Sequence, residues 1–221
     1  MSKRLILGVL SAVVAGLAVP LVGCEVEETE PTPTAQATPT PDIRAELERL
    51  RLEEDAKPRF EGVLSGIRLY TGGGKDVERK NACSDAKPEE VQHLDMSAVV
   101  GTPMEIDPSY LPASAEEQPT MWPPVACKGI VTDVERWWVI PGKGNLFIAR
   151  RQGEQAVASS SSADRVSAGT VGGKPAVLVA PLTPEGYGQS VVIIAEDFGL
   201  TIVFADGLPL DETVKVAEGL G

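Results

Sequence analysis

The chain has 221 residues, of which 43% are hydrophobic and 24% charged, and its formal net charge is −12 at pH 7. This length allows one domain of ordinary size with a buried core. The acidic excess argues against nucleic acid and anionic lipid headgroups as partners, because both carry negative charge. Solubility is one explanation of such a surface, and selection for a cationic partner is the other.

The N-terminus predicts a secretory signal. A basic start precedes an uncharged apolar run over residues 5–23, whose nineteen residues would also suffice for a spanning helix. The run ends in Leu21-Val22-Gly23-Cys24, which resembles the bacterial lipobox. The resemblance implies that residues 1–23 are a signal peptide and that the Cys24 sulfur carries lipid. We therefore expect a mature chain anchored in the cell membrane, on its extracytoplasmic face.

The cysteines fit that compartment. If Cys24 carries lipid, Cys83 and Cys127 remain as an even pair in an oxidising environment. We expect a disulfide between them, closing a loop of about 45 residues and stabilising the fold by roughly 4 kcal/mol. A redox or metal pair is the alternative, but it lacks C-x-x-C spacing and a nearby histidine.

The next segments predict a spacer and a helix. Residues 24–41 are rich in Pro, Thr and Glu, which predicts a disordered spacer that reaches roughly 50 Å. Residues 42–57 then place apolar side chains at helical intervals, with Asp42 as N-cap and Pro58 as the end. This helix either packs on the domain or continues the stalk.

Residues 60–124 are less regular. Residues 60–70 predict one strand or two short ones, and residues 98–106 predict another. The glycines at 72–74 lack the spacing of a phosphate-binding loop and predict a flexible turn. Five prolines over 108–124 predict a loop.

The second half predicts β-hairpins and a final helix. The paired strands are 130–140 with 146–149, 166–171 with 176–180, and 191–195 with 201–205. The serines at 159–162 predict a mobile loop. The runs 176–180, 191–195 and 201–205 are apolar on both faces, so both faces need a cover. One cover is a terminal helix with the apolar stripe Leu210, Val214, Ala217 and Leu220.

We expect the second cover to come from the hairpin that contains Trp138 or from the helix at 42–57. The fold class is thus α+β: a single domain over 58–221, mostly antiparallel sheet built from hairpins, covered by a C-terminal helix.

Residues 166–220 also carry a family-like pattern. They combine the turn Gly173-Lys174-Pro175-Ala176, the strand Val191-Val192-Ile193 and an acidic, Val- and Ala-containing ending over 210–220. This pattern resembles a family of extracytoplasmic bacterial domains of unknown function, found in lipoproteins and in sporulation- or sigma-regulator-associated membrane proteins. The family is similar to part of the lipoprotein-carrier-like fold. The resemblance covers about a quarter of the chain and implies no active-site residues.

The sequence offers little material for catalysis. His93 is the single histidine, and no G-x-S-x-G motif occurs. Carboxylate pairs such as Asp133/Glu135, Glu196/Asp197 and Asp211/Glu212 lack calcium-loop spacing, so a solvated surface is the default for them. We expect no cofactor, no metal and no enzymatic activity.

Aromatic residues are the remaining candidates for a site. Trp137 and Phe147 fall on the polar faces of their strands, where an exposed pair would form a binding patch together with Trp122. The alternative is a cross-strand pair that the 108–124 loop covers with Trp122.

The function expected from these features is a non-catalytic binding or envelope-sensing module. Its partner would be an envelope protein, a lipid or a wall component. A solute-binding or hydrolytic lipoprotein with an unfamiliar site is the alternative. A polar pocket around His93 or clustered carboxylates would favour that alternative, whereas a shallow apolar patch would favour a protein partner.

Overall fold

Twelve β-strands and two α-helices form the described part of the chain, residues 43–71 and 83–220, in a computed structural model. The described residues belong to one compact unit that spans 41–221. The helices are α1 (Ile43–Ala56) and α2 (Leu210–Glu218). The strands are β1 (Gly62–Leu64), β2 (Ile67–Tyr70), β3 (Val91–His93), β4 (Glu116–Glu117), β5 (Val125–Cys127), β6 (Ile130–Ile140), β7 (Gly144–Gln152), β8 (Ala156–Ala158), β9 (Val166–Val171), β10 (Lys174–Val179), β11 (Gln189–Glu196) and β12 (Gly199–Asp206).

Several predictions concern residues outside the described ranges. These are the signal peptide, the lipidated Cys24, the spacer over 24–41 and the glycine turn at 72–74. Within the described ranges, neither helix has the length and apolar character needed to cross a membrane.

A nine-stranded sheet dominates the fold. Its strand order is β3-β5-β6-β7-β12-β11-β10-β9, with β4 paired to β6, and all neighbours are antiparallel. The three predicted hairpins are confirmed as β6/β7, β9/β10 and β11/β12. The β9/β10 turn uses Gly172 and Gly173 at positive φ (57° and 79°), as a tight two-residue hairpin turn requires. The predicted α+β class is confirmed.

The helix α2 and a long loop cover one face of the sheet. Val216 and Ala217 of α2 join a core with sheet residues such as Trp138 and Val203. The side chain of Arg150 fixes the end of α2, because its Nη2 donates to the carbonyl of Leu220 at 2.9 Å. This confirms the predicted terminal helix as a cover.

The strand predicted over 98–106 is wrong. A 3₁₀ turn at Met96–Ala98 leads into bends that nevertheless place Val99, Met104 and Ile106 in the core. Gly101, at φ 75°, and Pro103 interrupt the extended conformation that the apolar residues suggested. The segment is therefore a buried loop.

A second sheet covers part of the opposite face. Its strands run in the order β1-β2-β8, and Ile67 and Leu69 of β2 pack on Val177, Ile193 and Leu200 of the large sheet. The predicted second cover was wrong. The hairpin with Trp138 is part of the large sheet itself, and Trp138 points into the core on the α2 side.

The side chain of Glu54 attaches the helix α1 to the rest of the domain. Only 7% of Glu54 is exposed, and its carboxylate accepts hydrogen bonds from the Ser162 amide (2.9 Å), the Ser162 hydroxyl (2.7 Å) and Arg165 Nη1 (2.9 Å). The expectation of a mobile loop at 159–162 is therefore wrong for Ser162, which is fully buried. Its hydroxyl is needed to satisfy a buried carboxylate.

The predicted disulfide is present. Cys83 and Cys127 are joined, with their Cα atoms 5.3 Å apart. Cys127 lies fully buried on β5, so the bridge fixes the segment before β3 to the edge of the sheet.

Candidate binding groove

Three aromatic side chains form one row across the large sheet. Trp137 lies opposite Phe147 in the β6–β7 register, and Phe147 lies opposite Phe204 in the β7–β12 register. Residues that are directly opposite share a sheet face and contact each other. The row is on the face away from α2, because Trp138 and Leu146, one residue along each strand, point into the α2 core.

The small sheet leaves this row uncovered. It packs on side chains of β10, β11 and β12, whereas Trp137 and Phe147 lie farther along the sheet. Here an open cavity of about 620 Å³ remains. It is lined by Thr120, Met121, Trp122, Glu135, Arg136, Trp137, Asn145, Phe147 and Phe204. A volume of this size is typical of small-ligand and peptide-anchor sites.

The segment after β4 forms one wall of the groove. The Gln118 amide donates to the carbonyl of Trp137 at 2.9 Å and so continues the β4–β6 pairing. Met121 and Trp122 follow, yet 61% and 58% of their surfaces are exposed. Trp122 thus borders the aromatic row without covering it. The cross-strand pair of Trp137 and Phe147 is present. Both rings are half-buried, and the segment with Trp122 lines the same cavity without closing it.

One charged cluster borders the groove. Arg151 donates to Asp133 Oδ1 at 2.6 Å and also binds Glu135, a residue that lines the cavity. Burial alone would lower the pKa of Arg151, but the two carboxylates outweigh that effect and raise the pKa above its ordinary value. The cluster carries a net charge of −1, because two carboxylates share one guanidinium.

Arg136 also borders the cavity, but its guanidinium serves the other face of the sheet. Its Nε donates to Glu117 Oε1 at 2.8 Å, and it lies 5.3 Å from the centre of the Trp138 ring. The groove therefore gains no free positive charge from Arg136.

The remaining sequence candidates lie elsewhere. His93 is exposed on β3 and does not line the groove. Glu196 pairs with Lys174 at 2.8 Å, and Glu212 pairs with Lys215 at 2.7 Å. Within residues 43–71 and 83–220, no group of three His, Cys, Asp or Glu side chains is placed to hold a metal ion.

Sequence reasoning found Trp122, Trp137 and Phe147, and the structure brings these three residues together. It missed Phe204. The run 201–205 is apolar on both faces, so the sequence predicts that both faces of this strand are buried. The period of two in β12 places Phe204 with Ile202. Ile202 packs against the small sheet, whereas Phe204 lies beyond the small sheet and lines the groove.

Comparisons with protein-family models, with curated proteins and with solved structures give no match to this chain. The resemblance of residues 166–220 to extracytoplasmic domains therefore stays a prediction.

Proposed function

We propose that this chain is a membrane-anchored extracytoplasmic lipoprotein whose folded domain binds an envelope component without catalysing a reaction. The anchor rests on the lipobox ending at Cys24 and on the disulfide, which suits an oxidising compartment. The binding role rests on one observation, the open groove floored by Trp137, Phe147 and Phe204.

An exposed apolar surface of this kind costs solubility unless a partner uses it. Tryptophan is also among the residues that contribute most to binding energy at protein interfaces. Since the groove is shallow and apolar, it favours a protein partner over a hydrolytic substrate. The hydrolytic alternative needs a polar pocket at His93 or at clustered carboxylates. His93 stands exposed on a short strand outside the groove. A second cavity of about 610 Å³ is lined by Glu196 and Asp197, but there Glu196 is paired with Lys174 at 2.8 Å.

Photo-crosslinking in intact cells tests this role. A benzophenone amino acid replaces Trp122, which borders the groove, or Leu52, which is similarly exposed on α1 (62%). We expect a discrete crosslinked envelope product from position 122, reduced when Phe204→Ala is added, and no such product from position 52. Equal products from both positions, or none from position 122, would contradict a binding role for the groove.

A further inference from the structure

Two carboxylates stand beside the aromatic row on the same sheet face. Glu116 lies opposite Val139 on β6, and Asp206 lies opposite Asn145 on β7. Each is one side-chain row from the aromatic residues, since Val139 follows Trp137 by two positions and Asp206 follows Phe204 by two. Such a step along a strand is about 7 Å.

These carboxylates take no part in the ion pairs of the described residues. Both are exposed, and neither forms an ion pair with any residue of the described ranges. Two nearby guanidiniums are engaged, Arg151 by its two carboxylates and Arg136 by Glu117. The β6–β7 turn brings Lys143 next to Asp206, but within the described residues Lys143 forms no ion pair with Asp206, and its charge acts on Glu212 of α2. The groove therefore combines an apolar aromatic floor with an anionic rim, in a chain whose net charge is already −12.

We propose that the groove binds an arginine side chain, flanked by apolar residues, from a segment of an envelope protein. This inference rests on the proposed function and names the chemistry of its partner. A planar guanidinium stacks on aromatic rings, its methylene stem packs on apolar surface, and its forked donors match carboxylates. Lysine lacks the planar fork, and an acidic or neutral segment leaves the rim unpaired.

The fold already uses the same chemistry internally. The guanidinium of Arg136 lies 5.3 Å from the centre of the Trp138 ring, and that of Arg150 lies 5.7 Å from the centre of the Phe198 ring. Arg151 shows that a carboxylate on this sheet face accepts a guanidinium. Glu116 and Asp206 are three strand spacings apart, about 14 Å, so one external guanidinium pairs with one of them at a time. At the groove, rings and carboxylates are present and the cation is supplied from outside.

A peptide library tests the proposal without a known partner. Random heptapeptides displayed on phage are selected on the immobilised full-length chain. We expect the recovered peptides to be enriched in arginine next to aromatic or aliphatic residues. Synthetic versions of the best peptides are then compared with versions in which citrulline, the neutral isostere, replaces arginine. We expect citrulline to weaken binding about tenfold or more, as loss of one cation–π contact and one charge-assisted hydrogen bond implies.

Paired variants locate the binding. The double variant Glu116→Gln/Asp206→Asn and the single variant Trp122→Ala should each weaken the arginine peptides. The matched controls are Asp211→Asn/Glu218→Gln, which changes the same charge on α2 behind the other face, and Leu52→Ala on α1 at the opposite edge of the sheet. We expect both controls to bind like the unaltered chain.

The possible outcomes distinguish a failure of the arginine inference from a failure of the proposed binding function. Peptides without basic residues that still lose binding in Trp122→Ala would overturn the arginine inference and keep the groove as a binding site. Citrulline peptides that bind as well as arginine peptides would also overturn the arginine inference and keep the groove as a binding site. A selection that yields no peptide sensitive to Trp122→Ala would overturn both the inference and the proposed function of the groove.

Discussion

Trp137 lies directly opposite Phe147, on a part of the large sheet that is outside the contacts of the small sheet. Its neighbour Trp138 points the other way and is 2% exposed in the core below α2. Two adjacent tryptophans thus have opposite environments, because side chains alternate along a strand. Trp138 is therefore a core residue, whereas Trp137 is half-buried and lines the groove.

The three tryptophans should differ in their effect on stability. We expect Trp138→Ala to lower the free energy of unfolding by about 3–5 kcal/mol, since it leaves a cavity in the core. Trp137→Ala should cost about 1 kcal/mol through the lost cross-strand contact, and Trp122→Ala less than about 0.5 kcal/mol. Urea unfolding measures all three. If Trp137→Ala costs as much as Trp138→Ala, then Trp137 is a core residue and the groove is not a free surface.

The disulfide should contribute strongly to stability. Replacing Cys83 and Cys127 by alanine removes a cross-link between residues 44 positions apart. We expect a loss of about 4 kcal/mol in the free energy of unfolding, because the unfolded chain regains its loop entropy. The measurement is urea unfolding with and without reductant. Reductant should destabilise the unaltered chain to the same degree and leave the double variant unchanged; an unaltered chain indifferent to reductant would contradict the prediction.

The attachment of α1 should depend on pH. The hydrogen bond from Lys57 is the main reason why the pKa of Asp164 is about 2. Burial would raise the pKa of Glu54, but hydrogen bonds from Ser162 and Arg165 outweigh burial and lower it. Both folded pKa values lie below the unfolded values of about 3.9 for Asp and 4.3 for Glu. Their contribution to stability is therefore complete above those unfolded values and is lost as the pH falls towards 2.

Hydrogen exchange measures this attachment. Protection of the α1 amides, corrected for the intrinsic rate at each pH, should be lower at pH 3 than at pH 6. Glu54→Gln should reduce it already at pH 6, because leaving the largely buried Arg165 without its carboxylate costs about 3 kcal/mol. Glu48→Gln, on the exposed side of the same helix, is the control. Unchanged protection in Glu54→Gln would show that another contact holds the helix.

The lipid anchor is tested at Cys24. In cells fed a radiolabelled fatty acid, the unaltered chain and a Cys83→Ala variant should both carry label and sediment with membranes. The Cys24→Ala variant should lose the label, because no thiol remains at the cleavage site. A labelled, membrane-bound Cys24→Ala protein would refute the anchor.

The sequence determined the local order of this domain. Alternating apolar residues predicted β6, paired glycines predicted the β9/β10 turn, and the stripe ending at Leu220 predicted α2, since each depends on a few neighbouring residues. The cysteine count predicted the Cys83–Cys127 bridge by elimination. The strand predicted over residues 98–106 was wrong. Their apolar side chains correctly indicated burial, but a buried segment need not be a strand.

The tertiary structure decided what depends on contacts between distant segments. Glu54 and Ser162 are 108 positions apart, and nothing in either local sequence indicates that the serine satisfies the carboxylate. The groove arises in the same way. Trp137, Phe147 and Phe204 meet because three strands adopt one register. They stay half-exposed because the three-stranded sheet packs on other residues. Alternation assigns a side chain to a face, but only the complete packing of the chain determines whether that face is covered.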